Sequence, residues 1–186
     1  SSRYRLGETQ AVLGLGEKAL AINKELNDKN EMGRCLNLLG AAHYTMGRYY
    51  QAETYWENAL KVFQELGNRQ QGMDLLSNLG VIADARGDYN TALQRYDAAL
   101  AIAREIGNRD GEIVFLSNRG IEQVALKNFT AAESDLKQVI ALVGVTGSWI
   151  LSNTYNYYAE ALLGLDHFEQ AGYFAQQGLV QSLEDG

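Results

Sequence analysis

The chain has no proline, one cysteine and two histidines among its 186 residues. Without proline, no helix is forced to kink or stop from within. The single thiol, Cys35, excludes a disulfide framework and a thiolate metal cage, and its place on an apolar helix face reads as a small hydrophobe. His43 and His167 stand far apart, and neither has a second histidine or cysteine at a metal-type spacing, so no metal, cofactor or enzymatic role is expected. No run reaches the roughly 18 apolar residues of a membrane span, and Ser1-Ser2-Arg3-Tyr4-Arg5 lacks the apolar core of a secretion signal. A soluble cytoplasmic protein with no membrane partner is the expectation. Basic residues are also few, 16 against 23 acidic, for a net charge of −7. That balance opposes phosphate neutralisation, and no nucleic-acid partner is expected.

What the chain does have is a block of 17 residues that returns four times at spacings of 40, 40 and 39: Leu36–Ala52, Leu76–Ala92, Leu116–Ala132 and Tyr155–Ala171. A period of that length marks a stacked solenoid, whose units cannot bury their apolar faces alone. Between turn signals the apolar residues recur at three and four, as in Ala92, Tyr96, Ala99, Leu100 and Ala103, so every segment reads as helix. Each unit has a first helix (about 31–46, 71–86, 111–126 and 150–163) and a second (about 48–66, 88–106, 128–143 and 167–183). The turns within the units are Gly47-Arg48, Gly87-Asp88, Lys127-Asn128 and Leu165-Asp166; those that close them are Gly67-Asn68-Arg69, Gly107-Asn108-Arg109 and Gly147-Ser148-Trp149. Glycine and asparagine suit a left-handed helix end, and aspartate or asparagine caps the next helix. The expected organisation is one domain, 1–186, with a partial repeat (a second helix) at 1–28 and full repeats at 31–69, 71–109, 111–148 and 150–183. Both ends expose core-type positions, including Phe168, Phe174, Leu179, Val180 and Leu183. The expectation is a piece of a longer array, with end-to-end association of copies as the alternative.

Leucine, glycine, an aromatic nine residues on and alanine three further recur as Leu39, Gly40, Tyr49, Ala52 and as Leu79, Gly80, Tyr89, Ala92. They continue with Trp56, Ala59, Leu60 and with Tyr96, Ala99, Leu100. This order resembles the tetratricopeptide repeat. The third unit keeps Gly120, Phe129 and Ala132 but has Arg119 for the leucine, and the fourth has Tyr158, Ala159, Phe168 and Ala171. The ordinary repeat has 34 residues and a proline near its end. The longer unit here looks like the long-repeat branch found in the Pins/LGN polarity adaptors and in many bacterial signalling and regulator proteins. The resemblance implies an all-α, right-handed superhelical solenoid of antiparallel helix pairs.

Several positions have a physical reading of their own. Mid-helix glycine costs about 1 kcal/mol against alanine, so Gly40, Gly80 and Gly120 point to close approach of a partner helix. Tyr49, Tyr89, Phe129 and Phe168 read as core aromatics at the start of the second helices. Arg119 either snorkels outward or pairs with an acid such as Glu122 or Glu160, and a structural pair is favoured because a lone buried guanidinium is expensive.

In the family the first helices line the concave face, and the resemblance implies groove positions six, three and two residues before the glycine and one, four and five after it. The polar and aromatic members are Arg34, Asn37 and Tyr44; Asp74, Ser77, Asn78 and Asp84; Ser117 and Asn118; and Asn153, Asn156 and Glu160. Their short amides and hydroxyls suit the unpaired backbone of an extended peptide, since asparagine both donates and accepts. The competing reading is that they fill helix contacts or face water. The acidic members suggest a ligand with some positive charge. The expectation is therefore an interaction module for a protein or peptide segment, the scaffold or sensor part of a larger intracellular protein. The alternatives are self-association as a homo-oligomer through exposed terminal helices, or an effector-gated regulatory domain.

Overall fold

The computed structural model describes residues 2–143 and 149–185, so the turn expected at Gly147-Ser148 lies outside the described residues. Among these the backbone forms α-helices and no strand: α1 (Ser2–Glu25), α2 (Lys29–Thr45), α3 (Tyr49–Glu65), α4 (Arg69–Ala85), α5 (Tyr89–Glu105), α6 (Arg109–Ala125), α7 (Phe129–Val143), α8 (Trp149–Gly164) and α9 (Phe168–Asp185). The limits of α2 to α9 fall within two residues of those read from spacing. No described helix is long and apolar enough to cross a membrane. The fold is an all-α solenoid type, built of consecutive helix pairs.

Local chemistry sets the helix ends. Six to one hydrogen bonds close the turns, including Arg48 N–H to His43 C=O at 2.9 Å, Asp88 to Ala83 at 2.9 Å and Asn128 to Gln123 at 2.8 Å. The residue before each donor is left-handed: Gly47 and Gly87 at φ 69° and 73°, and Lys127 at 61°. This is the Schellman arrangement, which satisfies the last carbonyls of one helix while reversing the chain. The next helix is then capped by a side-chain oxygen, as when Asp88 accepts from Thr91 N–H at 3.1 Å and Asn108 from Gly111 N–H at 2.8 Å.

The chain divides into two compact units, Ser1–Ile82 and Ala83–Gly186. In the first, α1 packs on α2 and α2 on α3, around Leu13, Leu20, Leu36, Leu39, Trp56, Leu60 and Phe63. In the second, each helix from α5 to α9 packs on the next and α6 also meets α8, with Leu136, Ala161 and Leu162 fully buried at its centre.

The mid-helix glycines are seats for large side chains of the second helix. A Cβ on Gly40 would lie 2.5 Å from the Trp56 indole, whose Nε1–H donates to Asn37 C=O at 3.1 Å. A Cβ on Gly120 would lie 2.6 Å from Leu136, and Gly164 carries the Phe129 ring in the same way. Expected core aromatics at two other second-helix starts are more open: Tyr49 is partly exposed beside Tyr44, and Phe168 is 64 % exposed. Phe129 is covered by Gly164 at the end of α8, the following first helix. Phe174, expected to be uncovered, is instead packed against Tyr158 with ring centroids 4.6 Å apart. Leu179, Val180 and Leu183 are exposed.

Gly40→Ala and Gly120→Ala are therefore expected to destabilise their units by roughly 1–2 kcal/mol, overpacking outweighing the gain in helix propensity. Gly14 and Gly172 have nothing within 4 Å of a built Cβ. Alanine there is expected to add up to about 1 kcal/mol. Urea denaturation followed by circular dichroism distinguishes the two pairs of variants by sign.

Candidate functional site

Helical spacing places the stripe on the first helices, and the structure divides it into accessible and inaccessible members. In the first unit Arg34 is exposed and pairs with Glu31 at 3.2 Å, one turn back on the same helix. Asn37, Asp74, Ser77 and Asn78 are half-buried, and Tyr44 lies with its ring near those of Tyr49 and Trp56 at 5.6 and 5.7 Å. Asp74 accepts from Gln70 Nε2 at 3.2 Å; burial nonetheless pushes its carboxyl above the ordinary value. In the second unit Asp84, Asn153, Asn156 and Glu160 are exposed and Asn118 is half-buried. Ser117 differs from expectation: at 2 % exposure it belongs to the interior and presents no surface to a ligand. Asn156 leans on α9, its Oδ1 lying against Gly178, where a Cβ would collide with it. Three clefts in this unit, of about 530, 440 and 500 Å³, involve second-helix residues such as Phe129, Lys137 and Tyr173 rather than the stripe.

Two charged residues sit where repeat symmetry calls for apolar ones. Arg119 is a structural ion pair, as favoured, but with different partners. Its Nε and Nη2 make a fork on Asp135 of α7 at 2.7 and 2.5 Å, and Nη1 reaches Asp97 of α5 at 2.8 Å. Asp135 is buried and Asp97 is exposed. Hydrogen bonding to Asp135 is the main reason the guanidinium holds its proton more tightly than usual, burial opposing and Asp97 adding. Three helices are thereby tied through one planar group.

Glu122 is the other. It is 2 % exposed, and its Oε2 has no hydrogen-bond partner. Burial first, and then the like charge of Asp84, raise its carboxyl to about 7 from an ordinary 4.5. His43, in the first unit, is buried and stacked on Tyr55 at 5.2 Å with Nδ1 unpartnered; burial and then the Arg48 charge lower its pKa, Glu17 opposing. Glu122 was legible in sequence only as an acid at the position held elsewhere by Ala42, Ile82 and Ala161. Among the described residues no group of three or more histidine, cysteine or acidic side chains is arranged to hold a metal ion.

Removal of either Arg119 partner tests the ion pair. Asp135→Ala leaves the half-buried guanidinium with only the exposed Asp97 and is expected to destabilise by up to about 3 kcal/mol, whereas Asp97→Ala at the surface is expected to cost less than about 1 kcal/mol. Chemical denaturation of the two variants measures the difference. Glu122 gives a pH test. Folded, it keeps its proton up to about pH 7; unfolded, it loses the proton near 4.5. Its favourable contribution is complete below about 4.5 and is lost as pH rises to about 7, by roughly 3 kcal/mol. His43, with its lowered pKa, works in the opposite direction below 6.5. The Glu122 contribution is thus the difference between wild type and Glu122→Gln in stability profiles from pH 4.5 to 8, and the variant is expected to lose this decline.

Comparison with known proteins agrees with the geometry. The tetratricopeptide repeat pattern is matched over residues 31–105 and again over 73–144, together more than half of the chain. No curated protein matches the sequence. Among solved structures, BtubC (BKLC) from P. vanneervenii is 19 % identical, with 98 % of this chain and 76 % of that chain aligned and a TM-score of 0.86. The apo form of RapI is 18 % identical over 98 % of this chain, with a TM-score of 0.88; this chain spans about half of its length, 51 %. A Rap protein complexed with competence and sporulation factor is 15 % identical over 97 % of this chain and 60 % of its own, with a TM-score of 0.64. At these identities the likeness is one of fold. The helix pairs, their glycine seats and the matched repeats lead to one assignment: the chain belongs to the tetratricopeptide repeat family.

Proposed function

We propose that this chain is a recognition module for an extended polypeptide segment, which it binds along the first-helix stripe of its units, as the scaffold or sensor part of a larger intracellular protein of the long-repeat branch. The observation that carries this reading is the set of accessible amides on otherwise core-forming helices. Asn37, Asn78, Asn118 and Asn153 each keep exposed or half-buried surface in mid-helix. Asparagine is a poor helix former there, and its amide matches the donor and acceptor of a peptide group. Leu38, half exposed on the same stripe, adds an apolar contact for a ligand side chain. The Rap protein complexed with competence and sporulation factor supports the reading, since a chain of similar fold holds a ligand.

A second reading is association of copies, favoured by the exposure of Phe168, Tyr173, Leu179 and Leu183 on α9. Sedimentation at several concentrations separates the two, because growth with concentration belongs to assembly and not to peptide capture. The test of the leading reading is a peptide array probed with wild type and with Asn78→Ala plus Asn118→Ala. Loss of two amide partners is expected to weaken binding by about tenfold or more, at roughly 1 kcal/mol per hydrogen bond. Equal binding by both proteins overturns the amide stripe as the site.

A further inference from the structure

Two successive repeats of the second unit treat the same positions differently. In the third repeat the chain supplies its own cation: the Arg119 guanidinium forks on Asp135 of α7 and reaches Asp97 of α5. One repeat on, at the spacings of 40 and 39, the places of Arg119, Asp135 and Asp97 are taken by Tyr158, Phe174 and Lys137. The ion pair gives way to an aromatic pair, with the Tyr158 and Phe174 ring centroids 4.6 Å apart and Tyr173 edge-on to Phe174 at 5.1 Å. Here the surface opens as a cleft of about 440 Å³, lined by these three rings together with Glu133 and Lys137 of α7 and Glu169 of α9.

The lining combines π faces with negative charge. Tyr158 is buried, Phe174 half-buried and Tyr173 57 % exposed, so the rings run from the floor of the cleft to its rim. Burial, and then the Glu133 charge, raise the Tyr158 phenol above its ordinary value, which keeps that ring neutral at physiological pH. Glu133 is half-buried and Glu169 exposed, and two carboxylates against the single ammonium of Lys137 leave the lining net negative. Aromatic faces attract cations, and a planar guanidinium can stack on a ring while it forks on a carboxylate, which a lysine ammonium cannot do.

We propose that this cleft receives an arginine side chain from a protein partner, filling from outside the register that Arg119 fills from within one repeat earlier. The guanidinium lies against the Tyr173 and Phe174 rings and pairs with Glu133 and Glu169. Most of the lining belongs to the second helices α7 and α9, so the site is separate from the first-helix stripe and stands or falls independently of it.

The test is an NMR titration of the full chain, its aromatic rings isotope-labelled, with N-acetyl-arginine N-methylamide and with the citrulline counterpart, which keeps the shape and lacks the charge. The arginine compound is expected to shift the Tyr173 and Phe174 signals saturably, with a dissociation constant of about 1 mM, and the citrulline compound to bind about tenfold more weakly. Glu169→Gln and Tyr173→Ala, both at exposed positions and both read at Phe174, are each expected to weaken binding by about two- to fivefold, and Lys137→Gln, which removes a like charge, to strengthen it by about twofold. Free arginine, which brings its own carboxylate to an acidic lining, is expected to bind more weakly than the amide; the reverse order overturns the assignment to a residue within a chain. Equal binding of the citrulline compound, shifts that fail to saturate or that reach Tyr44 and Tyr49 of the first unit equally, or wild-type affinity in either Glu169→Gln or Tyr173→Ala overturns the site.

Discussion

The fold depends on a void in one helix filled by a bulky group from a neighbouring helix. Gly40 receives the Trp56 indole, Gly120 receives Leu136, and Gly164 receives Phe129. Each seat brings two antiparallel helices close enough for the rest of their faces to interlock, and the Trp56 Nε1–H bond to Asn37 C=O fixes the indole in its seat. Glycine within a helix is a local weakness, and its retention at these points shows packing outweighing propensity. Because the seats are on the first helices, those helices bury one face completely and leave the opposite face to carry polar groups.

The second unit solves two similar electrostatic problems in opposite ways. Arg119 and Glu122 are one helical turn apart on α6, and both occupy positions where their counterparts are apolar. The guanidinium is fully engaged by acids from α5 and α7, which makes it a cross-brace. The carboxyl group is left with a like-charged neighbour and an orphan oxygen. A fully satisfied polar group adds rigidity, whereas a partly satisfied one in the same low-dielectric interior is a cost. The contrast separates a cross-brace from a local cost within a single turn.

Much of this was legible in the sequence because the determinants are local. Helix limits follow from three-and-four spacing and from turn dipeptides such as Gly87-Asp88, whose bonds close within six residues. What was not legible depends on neighbours distant in sequence. The partners of Arg119 are 16 and 22 residues away, so no i+3 or i+4 rule reaches them, and Glu122 on the same helix and Glu160 on a later one suit the sequence equally well. Ser117 and Asn118 are adjacent, similar in chemistry and opposite in fate, one interior and one half-open, because the surface each meets belongs to another helix. Tyr49, Phe129 and Phe168 share a repeat position but differ in cover, and for Phe129 that cover comes from Gly164 of α8, distant in sequence. The enclosure of Glu122 had a sequence signal, an acid in an alanine and isoleucine register, but its lack of a partner was visible only in three dimensions.

The reversal points differ along the chain in what they cost the backbone. Gly47, Gly67, Gly87 and Gly107 hold the left-handed conformation with no side chain to strain, whereas Lys127 and Asp166 adopt it with a Cβ, at roughly 1 kcal/mol each. Among the described residues, the turns that end α6 and α8 thus carry a backbone cost that the turn ending α5 does not. That cost falls at the tips of two first helices, the elements whose faces carry Asn118, Asn153 and Glu160.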